Sequence, residues 1–242
     1  MRAKRPRTRL YQAGDFQVGQ ILRFHREQAA YLTKVLRLKT GAGIGLFNTA
    51  AGEWHATLTI EGSRQVTAII DRRICESEGP SGLILAFAPI KKIPLEWMII
   101  KATELGIDAF QPIITDHTQA ELGRLDRLKT LMIEASQQCE RCRVPTLLPA
   151  QQFEPWAMKV NDLIAALEAG RAGDIRQVKG GKTLLVGPEG GFSAREIAIL
   201  EEKATCVSLG YRVLKAETAA LSLIAGVAIA RGDFMQRPDF RP

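Results

Sequence analysis

Two glycine-rich stretches near the C-terminus carry the residues whose types and spacing best suit chemistry. Residues 184–193 read Leu-Leu-Val-Gly-Pro-Glu-Gly-Gly-Phe-Ser, and residues 209–221 read Leu-Gly-Tyr-Arg-Val-Leu-Lys-Ala-Glu-Thr-Ala-Ala-Leu. Because glycine has no Cβ, backbone N–H and C=O groups in such loops can approach a ligand closely. Either stretch alone would indicate only a turn. Two of them at strand ends predict a ligand site in an α/β sheet.

Each stretch must be positioned by a strand before it and a helix after it. Thr183–Val186 is a short apolar run, and Ser193 followed by Glu196 is typical of a capped helix N-terminus. In the second stretch, residues 207–209 lead into the glycine, and the sequence predicts a helix over Ala216–Arg231.

Several other site chemistries are excluded by the patterns that the sequence lacks. A dinucleotide-binding domain carries Gly-x-Gly-x-x-Gly after its first strand, and a nucleoside triphosphate loop ends in Gly-Lys-Ser/Thr. Neither pattern is present, nor is the Gly-x-Ser-x-Gly motif of a serine hydrolase. His25, His55 and His117 have neither triad nor metal-ligand spacing.

The cysteines indicate reduced thiols rather than a structural framework. Cys75, Cys139, Cys142 and Cys206 are too few and too scattered for disulfide stapling in a chain of 242 residues. Cys139 and Cys142 have C-x-x-C spacing, but no second pair or nearby histidine completes a zinc site. We therefore expect no metal site.

The charge of the chain favours a polyanionic partner, with nucleic acid the leading candidate. The formal net charge is +7 and the isoelectric point is near 9.4, and basic side chains that neutralise phosphates release condensed counterions. Beyond the first nine residues, the basic residues of the N-terminal third include Arg23, Arg26, Lys34, Arg37, Lys39, Arg72 and Arg73. A basic run is otherwise typical of a solvated face.

No targeting or membrane segment is evident in the sequence. No apolar run approaches the roughly 20 residues of a bilayer span, and the basic start lacks the apolar segment of a signal peptide. We expect a cytoplasmic protein with no membrane partner.

The N-terminal third predicts a small antiparallel β-barrel. Short alternating segments at 20–25, 44–47, 53–60 and 65–70 are separated by glycine turns, with one helix expected at about 28–36. Ser, Gly and Pro cluster at 77–82. We therefore divide the chain into two domains, residues 1–76 and residues 77–242.

The second domain alternates strands with helices, which predicts an α/β fold with a parallel sheet. Helices are expected at 94–105 and 122–141, the latter being the longest, and a loop is expected at 169–181. Strands are predicted at 83–88, 109–114, 162–167, 183–186 and 206–209.

Together these motifs resemble the RsmE-type ribosomal RNA uridine-N3 methyltransferases of the SPOUT superfamily. The likeness is most specific in the two glycine loops, and it extends over nearly the whole chain. The matching segments are 186–193 with Glu196, 209–219, 101–107 with Pro112, 134–145, and 35–48. The chain departs from the family at His117, where arginine is frequent, and at Cys139 and Cys142, which replace small or polar residues.

The resemblance implies both the fold and the cofactor. It implies a C-terminal trefoil-knotted α/β domain with a mostly parallel sheet, preceded by a small PUA-like antiparallel β-barrel that binds RNA. S-adenosylmethionine would lie bent in the knot, and a homodimer would complete each active site with the other subunit. The implied cofactor-binding residues are Leu185, Gly187, Pro188, Gly190, Gly191, Leu209, Gly210, Val213, Leu214, Thr218 and Ala219.

The reaction implied is methyl transfer to N3 of a specific uridine in 16S ribosomal RNA. This in-line displacement requires alignment of donor and acceptor and removal of the weakly acidic imide proton. An arginine beside the uracil carbonyls would stabilise the developing anion, and a carboxylate could orient that arginine or take the proton. We assign these roles to Arg212, Glu189 and Glu217, although both glutamates also suit a loop or helix start.

The partner implied is ribosomal RNA or the small ribosomal subunit. Its expected contacts are basic side chains, namely Arg2, Lys4, Arg5, Arg7, Arg9, Arg37, Lys91 and Arg141. Two other functions stay open: a SPOUT methyltransferase acting on another RNA or atom, and a non-catalytic RNA-binding assembly factor. The intact loop glycines argue against the second of these.

Overall fold

The chain folds into two compact units. A computed structural model describes residues 6, 8–61, 65–168, 172–178 and 180–233. The first unit comprises Met1–Gly79 with Ser136–Val144, and the second comprises Pro80–Ala135 with Pro145–Pro242. The first boundary between the units, after Gly79, lies inside the cluster of Ser, Gly and Pro at residues 77–82. The inclusion of residues 136–144 in the first unit is a feature that the predicted two-domain division lacked.

The first unit is built on a five-stranded sheet. Its strands, in the spatial order β1-β3-β4-β5-β2, are β1 (Arg9–Tyr11), β2 (Ile21–Arg23), β3 (Gly43–Asn48), β4 (Gly52–Glu61) and β5 (Gln65–Cys75). All neighbours are antiparallel except β1 and β3. Buried and more exposed residues alternate along much of β5, as expected for a strand with one face on a core.

The small antiparallel module predicted from the sequence is present, with one parallel pair added. The strands predicted at 44–47, 53–60 and 65–70 are confirmed, whereas β2 is shorter than expected and β1 was not predicted. The expected helix begins at Arg26–Ala30 (α1) and continues as a π-helical turn over Tyr31–Val35.

The second unit alternates strands and helices, as predicted. Its helices are α2 (Lys92–Glu104), α3 (Leu125–Gln138, whose last turn belongs to the first unit), α4 (Phe153–Ala157), α5 (Ala194–Lys203) and α6 (Ala216–Arg231). Its strands are β6 (Ile84–Phe87), β7 (Ala109–Ile114), β8 (Thr146–Leu147), β9 (Gln151–Gln152), β10 (Leu163–Ala166), β11 (Gly173–Asp174), β12 (Thr183–Val186) and β13 (Thr205–Ser208).

The sheet of this unit is parallel, and its spatial order differs from its sequence order. The strands lie in the order β11-β13-β10-β12-β6-β7-β8, with β9 pairing to β7. The central strand β12 is buried at every residue, which is expected where helices cover both faces of a parallel sheet. Strand β10 lies between β12 and β13, so three carboxyl ends meet at one edge.

Three details differ from the sequence prediction. Helix α3 begins at Leu125 rather than 122, after Gly123 in a left-handed conformation (φ +72°). It has 14 residues and is therefore shorter than α6, which has 16. The expected loop at 169–181 contains β11 and a 3-10 turn over Ile175–Gln177.

Among the residues that the structure describes, no helix has the length and apolar character needed to cross a bilayer.

Candidate cofactor and active site

The first glycine loop, residues 187–193, joins strand β12 to helix α5. Ser193 is the N-cap of α5, and its Oγ accepts a hydrogen bond from the Glu196 backbone N–H at 3.3 Å. The Ser193 N–H donates in return to Glu196 Oε2 at 2.9 Å. This reciprocal pair satisfies two backbone donors at the helix start, and it confirms the cap predicted from the sequence.

The same glutamate ties the loop to a second segment of the unit. Glu196 is only 3% exposed, and its Oε1 accepts the Asp116 backbone N–H at 2.9 Å. The Ser193 hydroxyl donates to Asp116 Oδ2 at 2.6 Å. Because a buried carboxylate is stable only when hydrogen-bonded, these bonds hold both segments together.

His117 contacts the glycine loop directly. Its Nδ1 lies 2.9 Å from the Gly190 carbonyl oxygen, and a Cβ built on Gly190 would lie 3.2 Å from the His117 Cβ. Gly191 adopts φ +65° and donates its N–H to the Pro188 carbonyl at 2.9 Å. The first loop is therefore fixed by contacts within its own chain.

The second glycine loop, residues 209–215, joins strand β13 to helix α6 and has fewer such contacts. Gly210 adopts φ +108°, and its N–H donates to Ser208 Oγ at 3.3 Å. Tyr211 and Val213 are 88% and 83% exposed. The Arg212 guanidinium carbon lies 4.4 Å from the centroid of the Tyr211 ring, a cation–π contact at an exposed position.

The loops that follow the three adjacent strands enclose a cavity of about 570 Å³, within the roughly 300–1,000 Å³ typical of small-molecule sites. Its wall consists of Ala166, Leu167, Glu168, Val186, Gly187, Pro188, Glu189, Gly190, Gly191, Phe192, Ile197, Leu209, Gly210, Tyr211, Arg212, Val213, Leu214, Lys215, Ala216 and Ala219. Apolar side chains, glycine backbone and a few charged groups are thus brought together. That composition fits a ligand with an apolar ring and several polar groups, such as a nucleoside derivative.

The structure brings most of the predicted site residues to this cavity. All of the predicted cofactor residues line it except Leu185, which is fully buried in the core, and Thr218. Of the predicted catalytic residues, Glu189 and Arg212 lie on the wall. Glu217 lies in the first turn of α6, outside the lining residues.

Sequence reasoning missed the end of strand β10. Ala166, Leu167 and Glu168 line the cavity because β10 pairs in parallel with both β12 and β13. The strand itself was predicted at 162–167. Its position between the two loop-bearing strands depends on the order of the sheet, which no local pattern in the sequence reveals.

The basic residues expected to contact RNA fall into different environments. Arg37 and Lys91 are exposed. Arg141 has a side chain only 10% exposed, and its Nε lies 3.8 Å from Glu78. Arg2, Lys4, Arg5 and Arg7 lie outside the described residues.

The assignment of Arg9 to RNA is wrong for this structure. Arg9 is 7% exposed, and its Nε donates to Glu53 Oε1 at 3.1 Å. Its terminal nitrogens donate to the backbone carbonyls of Ser136, Gln137 and Arg141 at 3.1–3.2 Å. The N–H groups of the Arg9 guanidinium are therefore all bonded to groups within the first unit.

Comparison with known families matches both parts of the chain. Residues 77–228 match the RNA methyltransferase domain family. Residues 25–71 match the RNA methyltransferase PUA domain family.

Individual relatives agree with these matches. Ribosomal RNA small subunit methyltransferase E of Rickettsia conorii is 33% identical over 208 residues, covering 82% of this chain and 85% of the relative. The protein of that name from Synechocystis is 31% identical over 215 residues, covering 83% and 70%.

A solved structure is similar over almost its full length. The crystal structure of ribosomal RNA small subunit methyltransferase E from Neisseria gonorrhoeae bound to S-adenosyl methionine has a TM-score of 0.83 and 27% identity, covering 92% of this chain and 97% of that one. The predicted fold class is confirmed: a PUA-like module precedes an α/β domain with a mostly parallel sheet.

Proposed function

Because the chain belongs to the RNA methyltransferase family that includes ribosomal RNA small subunit methyltransferase E, we propose that it methylates N3 of a specific uridine in 16S ribosomal RNA. S-adenosylmethionine is the methyl donor. The observation that carries the proposal is the cavity between the two glycine loops, with Arg212 and Glu189 on its wall. The Neisseria relative with the cofactor bound supports the choice of donor.

The residues of the cavity suit this cofactor, which supplies a methyl group on a positively charged sulfur. Backbone N–H and C=O groups of residues 187–191 and 209–214 would hold its adenine and its amino-acid part, since the glycines leave them accessible. The Glu168 carboxylate, on the same wall, is an acceptor for ribose hydroxyls. Val186, Leu209 and Leu214 provide apolar surface for the ring.

The acceptor uracil requires a cation and a proton acceptor. As the N3 proton leaves, negative charge spreads onto the uracil carbonyls, and the Arg212 guanidinium would stabilise that charge. Glu189, exposed on the wall, either takes the proton or orients the arginine. Glu217 is the second choice for that role, since it lies outside the lining residues.

A homodimer would complete the site. Arg212 is exposed beside Tyr211 and Val213, two large side chains that are 88% and 83% exposed. An ionic group stabilises a transition state best where water is excluded, and exposed apolar groups of this size favour covering by a second surface. We infer that a second copy of the chain covers this loop.

The first unit would bind the ribosomal RNA, in the cytoplasm. Basic side chains predicted from the sequence remain exposed on it, namely Arg23, Arg26, Lys34, Arg37, Lys39, Arg72 and Arg73. Replacing Arg37 and Lys39 with glutamine should flatten the salt dependence of RNA binding, by roughly 0.7 to 0.9 in slope for each phosphate that is no longer neutralised. The exposed Lys159→Gln in the second unit serves as the control. An unchanged slope would indicate that these side chains belong to a solvated face and do not contact RNA phosphates.

Nucleoside mass spectrometry of 16S ribosomal RNA tests the reaction itself. N3-methyluridine should be absent from cells without the protein and should return when the gene is restored. Methylation of another RNA or another atom would instead identify a different activity of the family. Cofactor binding with no methylated product would indicate an assembly factor.

A further inference from the structure

A compact cluster of two thiols and a carboxylate lies in the first unit and is not used by the proposed reaction. Glu53 comes from β4, Cys75 from the end of β5, and Cys142 from the segment 136–144. One ligand atom of each lies within 4.8 Å of the other two. Glu53 is fully buried and Cys142 is 1% exposed, whereas Cys75 is half-buried.

Neighbouring groups hold the carboxylate of this cluster in place. Arg9 Nε donates to Glu53 Oε1 at 3.1 Å. A Cβ built on Gly45 of β3 would lie 2.6 Å from the same oxygen, so a glycine is needed there to admit the carboxylate. Glu53 therefore occupies a pocket shaped for it.

The buried thiol is held equally well. Glu78 Oε2 accepts the Cys142 backbone N–H at 3.0 Å, and Arg9 Nη2 lies 3.8 Å from the Cys142 sulfur. The sulfurs of Cys75 and Cys142 lie within 4.8 Å of each other. Metal sites depend on such outer groups to orient their ligands.

We propose that Glu53, Cys75 and Cys142 bind a divalent cation of the zinc class, which joins the segment 136–144 to strands β4 and β5. Two sulfurs and one carboxylate oxygen suit Zn²⁺ and exclude the oxygen-preferring Mg²⁺ and Ca²⁺. With Zn–S bonds of about 2.3 Å, a tetrahedral ion separates its two sulfurs by roughly 3.8 Å. Because the ligand atoms already lie within 4.8 Å of one another, only a small movement of the side chains is needed to reach that sulfur–sulfur separation.

Charge balance supports this occupant. Without metal, two neutral thiols and the Arg9–Glu53 ion pair have no net charge. When Zn²⁺ binds, two protons leave the thiols, and two thiolates, one carboxylate, the cation and Arg9 again sum to zero. A buried cluster that is neutral in both states avoids the cost of an uncompensated charge.

The structure also explains why the sequence did not indicate this cluster. The C-x-x-C spacing paired Cys142 with Cys139, but the ligand atoms that meet Cys142 in space come from Glu53 and Cys75. A disulfide between Cys75 and Cys142 is the competing use of the two sulfurs.

Cobalt titration of the full-length protein, kept reduced with a phosphine, tests the proposal. We expect about one Co²⁺ per chain with a near-ultraviolet thiolate-to-cobalt charge-transfer band, displaced by Zn²⁺. Cys75→Ser should weaken Zn²⁺ binding at least 100-fold in a chelator competition, since loss of outer-shell partners alone costs about 10- to 100-fold. Cys139→Ser is the matched control and should bind like the parent.

Alkylation of the parent protein provides a readout that needs no variant. Zn²⁺ should protect the half-buried Cys75 from iodoacetamide, as mapped by peptide mass spectrometry, and should leave the alkylation of Cys139 unchanged. Absence of the charge-transfer band, equal loss in Cys139→Ser, or no protection of Cys75 would each overturn the proposal. Should Cys75→Ser fail to fold, the alkylation result decides.

Discussion

The two glycine loops of the second unit differ sharply in how they are held. The first loop is anchored by Glu196, which accepts backbone N–H groups from Ser193 and Asp116, and by the contact of His117 with Gly190. The second loop exposes Tyr211, Arg212 and Val213. Its following helix has no side-chain cap at Lys215.

This difference assigns the loops different tasks. A loop held by buried hydrogen bonds loses little conformational entropy when a ligand binds, because it is already ordered. A loop with exposed side chains keeps more side-chain freedom, which it loses when the ligand, the RNA or a second subunit contacts it. We therefore expect the first loop to bind cofactor as a rigid surface and the second to supply the charge that acts in the reaction.

Arg212→Ala should produce the largest effect. If its guanidinium stabilises charge that appears only in the transition state, the single-turnover methylation rate should fall roughly 10²-fold or more, about 3 to 4 kcal/mol. Cofactor affinity, measured by calorimetric titration, should change little. Arg212→Lys should restore only part of the rate, because an ammonium lacks the planar fork of the guanidinium.

The opposite result would contradict the assignment of cofactor binding to the first loop and of the catalytic charge to the second. A variant that binds cofactor tenfold more weakly but transfers methyl normally when saturated would make Arg212 a structural part of the cofactor site. The catalytic role would then pass to Glu189 or Glu217.

Glu196→Ala should have the next largest effect, this time on stability. The substitution removes the buried carboxylate that accepts the N–H groups of Ser193 and Asp116, and a hydrogen bond to a charged group contributes about 1.5 to 3 kcal/mol. We expect the free energy of unfolding in urea to fall by at least about 2 kcal/mol. Glu202→Ala on the same helix, where the side chain is 73% exposed, should change it by less than about 0.5 kcal/mol.

Equal destabilisation by both variants would show that the loss of stability comes from changes within helix α5 and not from the lost hydrogen bonds between Glu196 and the loop.

Gly210→Ala should have a moderate effect. Its φ of +108° is unfavourable for any residue with a Cβ, at a cost of about 1 to 2 kcal/mol. No heavy atom lies within 4 Å of the position a Cβ would occupy, so the penalty comes from backbone strain and not from a clash. Cofactor affinity should fall roughly tenfold as the loop shifts to relieve that strain.

Gly190→Ala is the companion variant in the first loop, where the added Cβ meets His117 at 3.2 Å. If Gly210→Ala leaves calorimetric cofactor affinity unaltered while Gly190→Ala lowers it, only the first loop is a cofactor loop.

Tyr211→Ser should have the smallest effect on stability. The side chain is 88% exposed, so the free energy of unfolding of the monomeric unit should change by less than about 0.5 kcal/mol. If a second subunit covers this loop, the same substitution should weaken self-association in sedimentation experiments. Unchanged association would place the dimer contact elsewhere.

The sequence by itself determined the local features of the site. Strand, loop and helix followed one another where glycines, the Ser193 cap and apolar runs predicted them, because these signals act over only a few residues. The positions of the two loops were therefore predictable from local signals, whereas the individual residues expected in the cavity came from the resemblance to the methyltransferase family. The small antiparallel module was predictable for the same reason.

Only the tertiary structure decided which distant elements meet. The position of β10 between the loop-bearing strands brings Glu168 to the cavity, and a buried pocket takes Arg9 out of the set of RNA contacts. The return of residues 136–144 to the first unit places Cys142 beside Cys75 rather than in a pair with Cys139. Such contacts depend on the order of strands in the sheet and on chain crossovers. The short-range periodicity of a sequence gives no information about either.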